Sequence, residues 1–296
     1  MRDDVLNPTL LVLVVPLLAL ELWRLTPGNR RRSFERWGSR QALPLGTDDA
    51  SWLHRWWRDE KVGSAVGLLV GLVGGLAACL LIPAAPDDPF ASLFSLVVVG
   101  ACLVSGSLLG AVSSGWRIRP PRTSSPRVAH SAALRLTDYL SPLDLLLVRV
   151  PAGFVLLAAL VSALTAERVG PAFGEHGTGP VWVALGVSLV GWTYAEVLAR
   201  RLLRRPQQAS SPLSLAWQDA ARAHVLGAIT HLPILLALGT TQVLLFVGLK
   251  GVALPLSPPV LYVVVVAVFV LRARPGDVPV RTRRRRAQLL AVTEAR

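Results

Sequence analysis

The sequence contains little charge and almost no lysine. Only 17% of its 296 residues are charged, whereas about a quarter are charged in a typical soluble domain. Hydrophobic residues make up 52% of the chain. Lys61 and Lys250 are the only lysines, so arginine carries most of the formal net charge of +13. This balance excludes an ordinary soluble domain and predicts that the surplus apolar surface faces lipid.

The positions of the arginines argue against a nucleic-acid partner. They lie in short segments between long apolar runs and not along one polar face. A nucleic-acid-binding domain clusters its basic residues on one soluble surface or along one helix. We therefore expect no nucleic acid as a partner, and membrane topology explains the charge better.

Cysteine and histidine are too few and too scattered to indicate a metal or cofactor site. Cys79 and Cys102 both fall within apolar runs, where cysteine behaves as a small hydrophobic residue. The five histidines show no H-E-x-x-H or similar spacing of metal ligands. We therefore expect no metal and no cofactor.

Motifs that would indicate an enzyme are missing from the sequence as well. It has no G-x-x-x-x-G-K-[ST] phosphate-binding loop and no G-x-S-x-G nucleophile elbow. In YAEVLAR, Glu196 and Arg200 stand four residues apart. A helical ion pair explains these two residues better than a membrane-protease site, which needs further glutamates and histidines. We expect no enzymatic activity and no catalytic residue.

Seven apolar runs are long enough to cross a bilayer, which takes roughly 17 to 25 helical residues. They cover about 5–23, 62–84, 90–114, 150–166, 181–199, 232–249 and 256–272. The predicted fold class is an all-α integral membrane protein with short interfacial helices in its loops. One transmembrane domain would occupy 1–272, followed by a basic tail over 273–296.

Lysine and arginine fall almost entirely on one side of these seven spans. The basic side holds 28 of them, in segments 24–61, 115–149, 200–231 and beyond 271, and the opposite side holds only Arg2, Arg168 and Lys250. Basic residues concentrate on the cytoplasmic side of membrane proteins. We expect an outside N-terminus, a cytoplasmic C-terminus and a bacterial inner membrane, whose anionic inner leaflet is the lipid partner.

The first basic loop holds candidate partner-docking residues. In DASWLHRWWRDE, Trp52, Trp56 and Trp57 fall on one side of a short helix. We expect this helix to lie in the membrane interface. Two interpretations are open, namely an aromatic anchor and a helix that docks a protein partner.

Two later basic loops resemble each other. RPPRTSSPRVAHSAALRLTDYLSP and RRPQQASSPLSLAWQDAARAHVLG both pass from arginines through Ser-Ser-Pro into a short amphipathic stretch before the next span. In those stretches Asp138, Tyr139, Asp219 and Arg222 are further candidates for partner docking. The similarity favours an internal duplication as strongly as it favours chance.

The stretches LRLTDYLSP and LAWQDAARA resemble uncharacterised multi-pass membrane proteins of actinobacteria. The resemblance covers about forty residues in two loops. It implies a bacterial inner-membrane location, and those proteins offer no established activity to transfer.

Few polar residues occur in the spans away from their ends. Ser188, Thr193, Thr240, Thr241 and Gln242 form a predicted polar cluster between the fifth and sixth spans. Interhelical hydrogen bonds of this kind contribute about 0.6 kcal/mol on average. We interpret the cluster as packing contacts, with a substrate site as the alternative.

The second and third spans carry matching rows of small residues at four-residue intervals. They are Gly63, Gly67, Gly71 and Gly75 in one span and Cys102, Gly106 and Gly110 in the other. If the chain turns near residues 86 and 87, Gly67 lies level with Gly106. Glycine weakens a helix, but it lets two helices in a bilayer approach closely. The pattern therefore predicts a tightly packed helical hairpin, with a pore lining or a homodimer face as the alternatives.

Two functions fit this sequence. The first is a permease-like subunit of a transport or export system that works with a separate cytoplasmic ATPase. The second is a non-transporting membrane scaffold or regulatory protein that binds a partner through its basic cytoplasmic face. A homo-oligomer is compatible with both.

Overall fold

The computed structural model describes residues 15–16, 18–19, 22–41, 43, 47–81, 91–115, 134–169, 179–205, 207, 209 and 211–248. Within these ranges the chain is helical and contains no β-strand, as the all-α fold class requires. The expected span 256–272 and the expected tail 273–296 lie outside the described residues, as does most of the expected span 5–23. The total of seven spans therefore stays a prediction.

From Pro27 onward the helices are numbered in chain order. They are α1 (Pro27–Gln41), α2 (Thr47–Leu81), α3 (Ala91–Gly115), α4 (Leu136–Tyr139), α5 (Pro142–Val169), α6 (Gly179–Arg204) and α7 (Pro212–Gly248).

Helices α2 and α7 are longer than the apolar runs that they contain. Helix α2 has 35 residues and α7 has 37, which at about 1.5 Å per residue gives lengths above 50 Å. A hydrocarbon core is about 30 Å thick. Each of these two helices therefore combines a segment that can span a membrane with a long extension beyond it.

Two sequence-based boundaries are wrong for this reason. The DASWLHRWWRDE segment was expected to form a separate interfacial helix, but it is the first part of α2. The LAWQDAARA segment was expected to precede the span 232–249, but it belongs to the same continuous helix, α7, which runs through Pro233. Polar residues lower the hydropathy at both places, but they do not end the helix.

Four helices are long and apolar enough to cross a membrane. The qualifying stretches are Ala50–Cys79, Val98–Gly115, Val181–Arg204 and Leu213–Ala237, in α2, α3, α6 and α7. Helix α5 covers the further expected span 150–166. The protein is thus a helical protein with at least four segments suited to a bilayer.

Helix α7 lies at the centre of the bundle. It packs against α3, α4, α5 and α6, whereas α2 packs mainly along α3. Ser211 caps the start of α7, because its hydroxyl accepts a hydrogen bond from the backbone N–H of Ser214 at 3.1 Å. A serine cap followed by proline at the first helical position is a favoured helix start.

The packing brings four helix ends together. The first residues of α2 and α7 and the last residues of α3 and α6 share one hydrophobic core. Because the arginines of these helices also concentrate there, we call this the basic end of the bundle.

Helix α1 is short and polar, and it covers part of the basic end. Phe34, Trp37, Gly38 and Gln41 are its buried residues and recur at helical spacing on one face. The opposite face exposes Arg32 and Arg36. Sequence analysis did not predict this helix, although the spacing of Phe34, Trp37 and Gln41 carries its signal.

Candidate functional site

The small-residue seam joins α2 to α3 and consists of Gly63, Gly67, Gly71 and Gly75 against Val99, Cys102, Gly106 and Gly110. The structure places Gly67 against Gly106, and a Cβ added to Gly67 would overlap the carbonyl group of Gly106. It would also lie 2.9 Å from the Cα of Gly110. Backbones this close leave no room for any side chain.

The expected register is present along the whole seam. Gly63 meets Gly110, and Gly71 meets Cys102. Gly75 continues the row against Val99, whose Cα would lie 2.9 Å from an added Cβ. Beside the seam, the hydroxyls of Ser64 and Ser107 hydrogen bond at 2.7 Å. The seam is a close backbone contact between two helices.

The aromatic core occupies the basic end of the bundle. It consists of Phe34 and Trp37 of α1, Trp52, Trp56 and Trp57 of α2, and Trp217 of α7. Trp37 lies at its middle, with ring centroids 5.3 Å from Trp57, 5.5 Å from Trp56 and 5.7 Å from Trp217. Such aromatic pairs contribute about 0.5–1.5 kcal/mol each beyond their buried area.

Two indole N–H groups extend the aromatic core to neighbouring helices. Trp56 Nε1 donates to the carbonyl of Gly115 at 2.8 Å, which satisfies an orphan carbonyl at the end of α3. Trp57 Nε1 donates to the hydroxyl of Ser33 at 3.1 Å and so holds α1 against α2. The rings therefore join three helices through specific contacts.

These positions differ from those expected for a separate interfacial helix that presents Trp52, Trp56 and Trp57 to the membrane or to a partner. All three are buried, at 2–4% exposure, because α1 covers them on one side and α7 on the other. Sequence analysis missed α1, and hence missed what covers the rings. Their role in partner docking stays a prediction, but little of their surface is open to a partner.

The first of two polar groups at the basic end lies beside the aromatic core and contains a buried carboxylate. Glu60 is 6% exposed, and its Oε2 lies 2.9 Å from the ammonium group of Lys61. Its Oε1 lies 3.6 Å from Nε2 of His224 on α7. The imidazole of His224 is in turn 5.4 Å from the ring of Trp57. The contact between Glu60 and His224 was not predicted from the sequence, because the two residues are far apart in the chain.

The second polar group at the basic end links α4 to α7. The hydroxyl of Tyr139 donates to Oδ1 of Asp219 at 2.8 Å, and Nε2 of Gln207 donates to the same oxygen at 2.9 Å. Burial and the nearby Asp219 carboxylate raise the pKa of Tyr139, so its phenol stays protonated and keeps donating at neutral pH.

Arg222 completes this second group. It is 3% exposed, and Nη2 donates to the carbonyl of Arg205 just after α6 ends, at 2.8 Å. Its Nε and Nη1 have no hydrogen-bond partner among the described residues. The structure thus brings together Tyr139, Asp219 and Arg222, three of the four docking candidates from the later loops.

Asp138, the fourth docking candidate, has a local structural role. Its Oδ2 accepts a hydrogen bond from the backbone N–H of Arg135 at 2.8 Å, which closes the first turn of α4. The two related loops therefore meet through a specific hydrogen-bonded group. Their common origin stays a prediction, since Ser124, Ser125, Pro126 and Ser210 lie outside the described residues.

Glu196 pairs with a different arginine from the one expected. The expected partner was Arg200, four residues on, but Glu196 accepts a hydrogen bond from Arg149 of α5. The pair is partly exposed and holds α5 against α6 beside Pro233 of α7. Sequence spacing favoured the local partner because only the fold brings α5 and α6 together.

Two of the five residues of the predicted polar cluster, Ser188 and Thr240, contact each other between α6 and α7. The hydroxyls of Ser188 and Thr240 hydrogen bond at 2.6 Å, and Ser188 also donates to the carbonyl of Leu236 at 3.0 Å. Thr193 is exposed and bonds to the carbonyl of Leu189 in its own helix. The side chains of Thr241 and Gln242 lie outside the described part of the chain.

No described group of side chains has the composition of a metal site. Among the residues in the described ranges, no three histidine, cysteine, aspartate or glutamate side chains lie close enough to hold a metal ion. Among the described residues, neither Cys79 of α2 nor Cys102 of α3 forms a disulfide. The candidate functional region is therefore the basic end, with its aromatic core and its two polar groups.

Comparison with known proteins adds no relative to this description. No family model matches the sequence, and no curated protein and no solved structure shows significant similarity to it.

Proposed function

We propose that this chain is the permease-like membrane subunit of a transport or export system and works with a separate cytoplasmic ATPase. The observation that carries the proposal is the construction of the basic end. There α2 and α7 extend beyond their apolar segments and are joined to α1, α4 and α6 by the aromatic core and the two polar groups.

This construction is suited to transmitting force. A partner that moved α1 would act directly on α2 and α7, because Trp37 contacts Trp56, Trp57 and Trp217 at once. Close-packed interiors pass on displacement with little compression. The same two helices continue into the apolar region, so motion at the basic end would change the arrangement of the spans.

The surface available to an ATPase is at the end of α6. Arg200, Arg201 and Arg204 are exposed there, directly after the exposed apolar residues that end with Val197. They lie next to the turn that leads into α7. Acidic groups on a cytoplasmic partner would complement this charge, and electrostatic complementarity favours rapid and specific association.

The cytoplasmic location of the basic end follows from the 28-to-3 distribution of lysine and arginine. We extend the proposal to a bacterial inner membrane, in keeping with the resemblance to actinobacterial membrane proteins. Reporter fusions after Arg296 test the orientation. A reporter that is active only outside the cell would contradict it.

The test of the proposed function is purification of the full-length chain from its native membrane in mild detergent. We expect an ATPase to be recovered in stoichiometric amount. The double variant Arg201→Glu/Arg204→Glu should lower that recovery at least tenfold, whereas the exposed apolar-face variant Val190→Ala should not. If no ATPase is recovered under conditions that preserve known membrane complexes, the permease function is wrong.

A non-transporting scaffold or regulator is the second candidate. It is favoured by the seam, where α2 and α3 touch along their backbones, and by the mutual hydrogen bonding of Ser188 and Thr240. These contacts rigidify the bundle. Recovery of a regulator or an envelope enzyme in place of an ATPase would support this candidate.

A further inference from the structure

The exposed face of α2 changes character within about one helical turn. Up to residue 59 its exposed side chains include Arg55, Arg58 and Asp59. From residue 62 onward the large exposed side chains are Val62, Val66, Leu69, Val70 and Val73. Side chains that face hydrocarbon are apolar and those that face headgroups are polar. The edge of the hydrocarbon core therefore crosses α2 between Arg58 and Val62.

Helix α1 is attached to α2 just below this edge. The hydrogen bond from Trp57 to Ser33 fixes the contact, and Phe34 lies 6.2 Å from the Trp57 ring. Residue 57 precedes residue 62 by five positions, or about 7.5 Å along a helix. The headgroup layer of one leaflet is about 5 to 8 Å thick. This contact places α1 at headgroup depth.

The charge of α1 suits anionic headgroups. The helix contains five arginines and a single acidic residue, Glu35. Arg31 and Glu35 form an exposed ion pair at 2.8 Å, which offsets one positive charge. Arg32 and Arg36 are exposed opposite the face that packs against the aromatic core. Their guanidinium groups can bind phosphate oxygens through paired N–H donors.

Exposed apolar side chains precede these arginines and favour lipid over a soluble acidic protein. Trp23 is 57% exposed and Leu22 is 65% exposed, only a few residues before α1 begins. Tryptophan is enriched at the membrane interface, where its ring lies among the headgroups. A soluble partner would explain the arginines but would leave Leu22 and Trp23 uncovered.

We propose that α1 is a lipid-binding helix that lies in the headgroup layer and binds anionic phospholipids through Arg32 and Arg36, with Leu22 and Trp23 inserted beside them. One face of the helix is fixed to the aromatic core, and the other is fixed to the leaflet. The local lipid composition would then set how firmly α1 is held against α2 and α7. This inference concerns lipid and is independent of whether an ATPase binds the protein.

The test measures lipid binding by the purified full-length chain. The protein in mild detergent is titrated with phosphatidylglycerol or with phosphatidylcholine, and bound lipid is counted by native mass spectrometry. Wild type should bind phosphatidylglycerol more tightly. Arg32→Gln/Arg36→Gln should lower that affinity about fivefold for each arginine removed, with little change in phosphatidylcholine binding. The preference should also weaken as salt is raised.

The matched control is Arg201→Gln/Arg204→Gln, which removes the same charge from the same end of the bundle. We expect it to keep most of the phosphatidylglycerol preference. Equal loss in both double variants would show a general charge effect and overturn the proposal. An unchanged preference for phosphatidylglycerol in the α1 variant would also overturn the proposal. The same holds if the α1 variant loses a protein partner but keeps its lipid preference. Both variants alter exposed residues, and circular dichroism should show unchanged helix content.

Trp23→Ala gives a second measurement that does not depend on charge. It should weaken the retention of both lipids by a few fold, because its ring supplies apolar contact and not phosphate recognition. The control is Trp182→Ala, which removes an exposed tryptophan near the start of α6, away from the basic end. If Trp182→Ala weakens lipid retention while Trp23→Ala behaves like wild type, the placement of α1 in the headgroup layer is wrong.

Discussion

The small-residue seam and the aromatic core hold the same helix, α2, in different ways. Along the seam α2 meets α3 through bare backbone, at positions where even a methyl group does not fit. In the aromatic core α2 meets α1 and α7 through indole rings, the largest side chains available. We attribute this difference in side-chain size to the solvent around each region. Lipid offers apolar contact everywhere, so only close backbone approach favours association there.

Beyond the hydrocarbon the rules for association change. In the topology that we propose, water or headgroups surround the basic end, so burial of apolar area is itself favourable there, at about 25 cal/mol per Å². Large rings bury most area per residue and bring N–H donors that need partners. Helix α2 is therefore held by glycines, which have no side chain, at the seam. In the aromatic core it is held by tryptophans, which have the largest side chains.

The largest expected effect breaks the seam. Gly67→Leu or Gly106→Leu places a side chain where the facing backbone already lies, so α2 and α3 must separate. We expect a loss beyond about 4 kcal/mol in the free energy of unfolding, seen as the absence of a monodisperse peak in fluorescence-detected gel filtration. Gly74→Leu is the control, since nothing lies within 4 Å of a Cβ at Gly74. Equal behaviour of Gly67→Leu and Gly74→Leu would refute the seam.

The next expected effect breaks the aromatic core. Trp37→Ala removes the ring that contacts Trp56, Trp57 and Trp217, and deletion of a buried aromatic ring costs about 3–4 kcal/mol. Thermal unfolding in detergent, followed by tryptophan fluorescence, measures the loss. Trp23→Ala removes an exposed tryptophan of the same chain and should leave the unfolding temperature nearly unchanged. If both variants lower the unfolding temperature by a similar amount, the buried contacts of Trp37 do not stabilise the protein more than an exposed ring does.

A smaller effect tests whether polar contacts add to the aromatic core. Tyr139→Phe removes a hydrogen bond to the Asp219 carboxylate, and bonds to charged groups contribute about 1.5–3 kcal/mol. We expect a loss near the lower figure, since Gln207 still donates to Asp219. Tyr194→Phe, at an exposed tyrosine of α6, is the matched control. If Tyr139→Phe is as stable as wild type, the α4–α7 link contributes nothing measurable.

The smallest effect is expected between α6 and α7, away from both regions. Ser188→Ala removes the hydrogen bond to Thr240, whose hydroxyl can still donate to the carbonyl of Leu236. We expect a loss of about 0.6 kcal/mol, measured by the same thermal unfolding. Thr193→Ala should change less, because Thr193 bonds only within its own helix. A loss above about 2 kcal/mol would show that this polar pair matters as much as the aromatic core.

The sequence predicted the seam well because its rule is local and periodic. Four-residue spacing defines a helix face, and a short turn fixes which residues lie level, so Gly67 could be matched to Gly106 without a structure. Helix ends were harder to predict. Polar residues after Trp57 lower hydropathy, yet they do not stop a helix, and α2 therefore continues from the tryptophans into the glycines.

The candidate site could be predicted only in part. Tyr139 and Asp219 stood out because two loops resembled each other, and the fold brings both to one hydrogen-bonded group. The contact between Glu60 and His224 could not be predicted, since it joins residues that are far apart in the chain. The choice of Arg149 by Glu196 likewise depends on how α5 lies beside α6. Contacts of this kind follow from tertiary packing and have no local pattern.

The order in which the chain is made gives the seam a further consequence. Every residue of the seam lies between Gly63 and Gly110, so the hairpin can close as soon as that stretch has entered the membrane. The aromatic core must wait for Trp217. We expect the hairpin to serve as the template on which α7 later assembles. Nascent chains arrested beyond residue 150 and carrying Ser64→Cys and Ser107→Cys, at side chains that already touch across the hairpin, should crosslink. Failure of this crosslink before α7 is made would contradict the order.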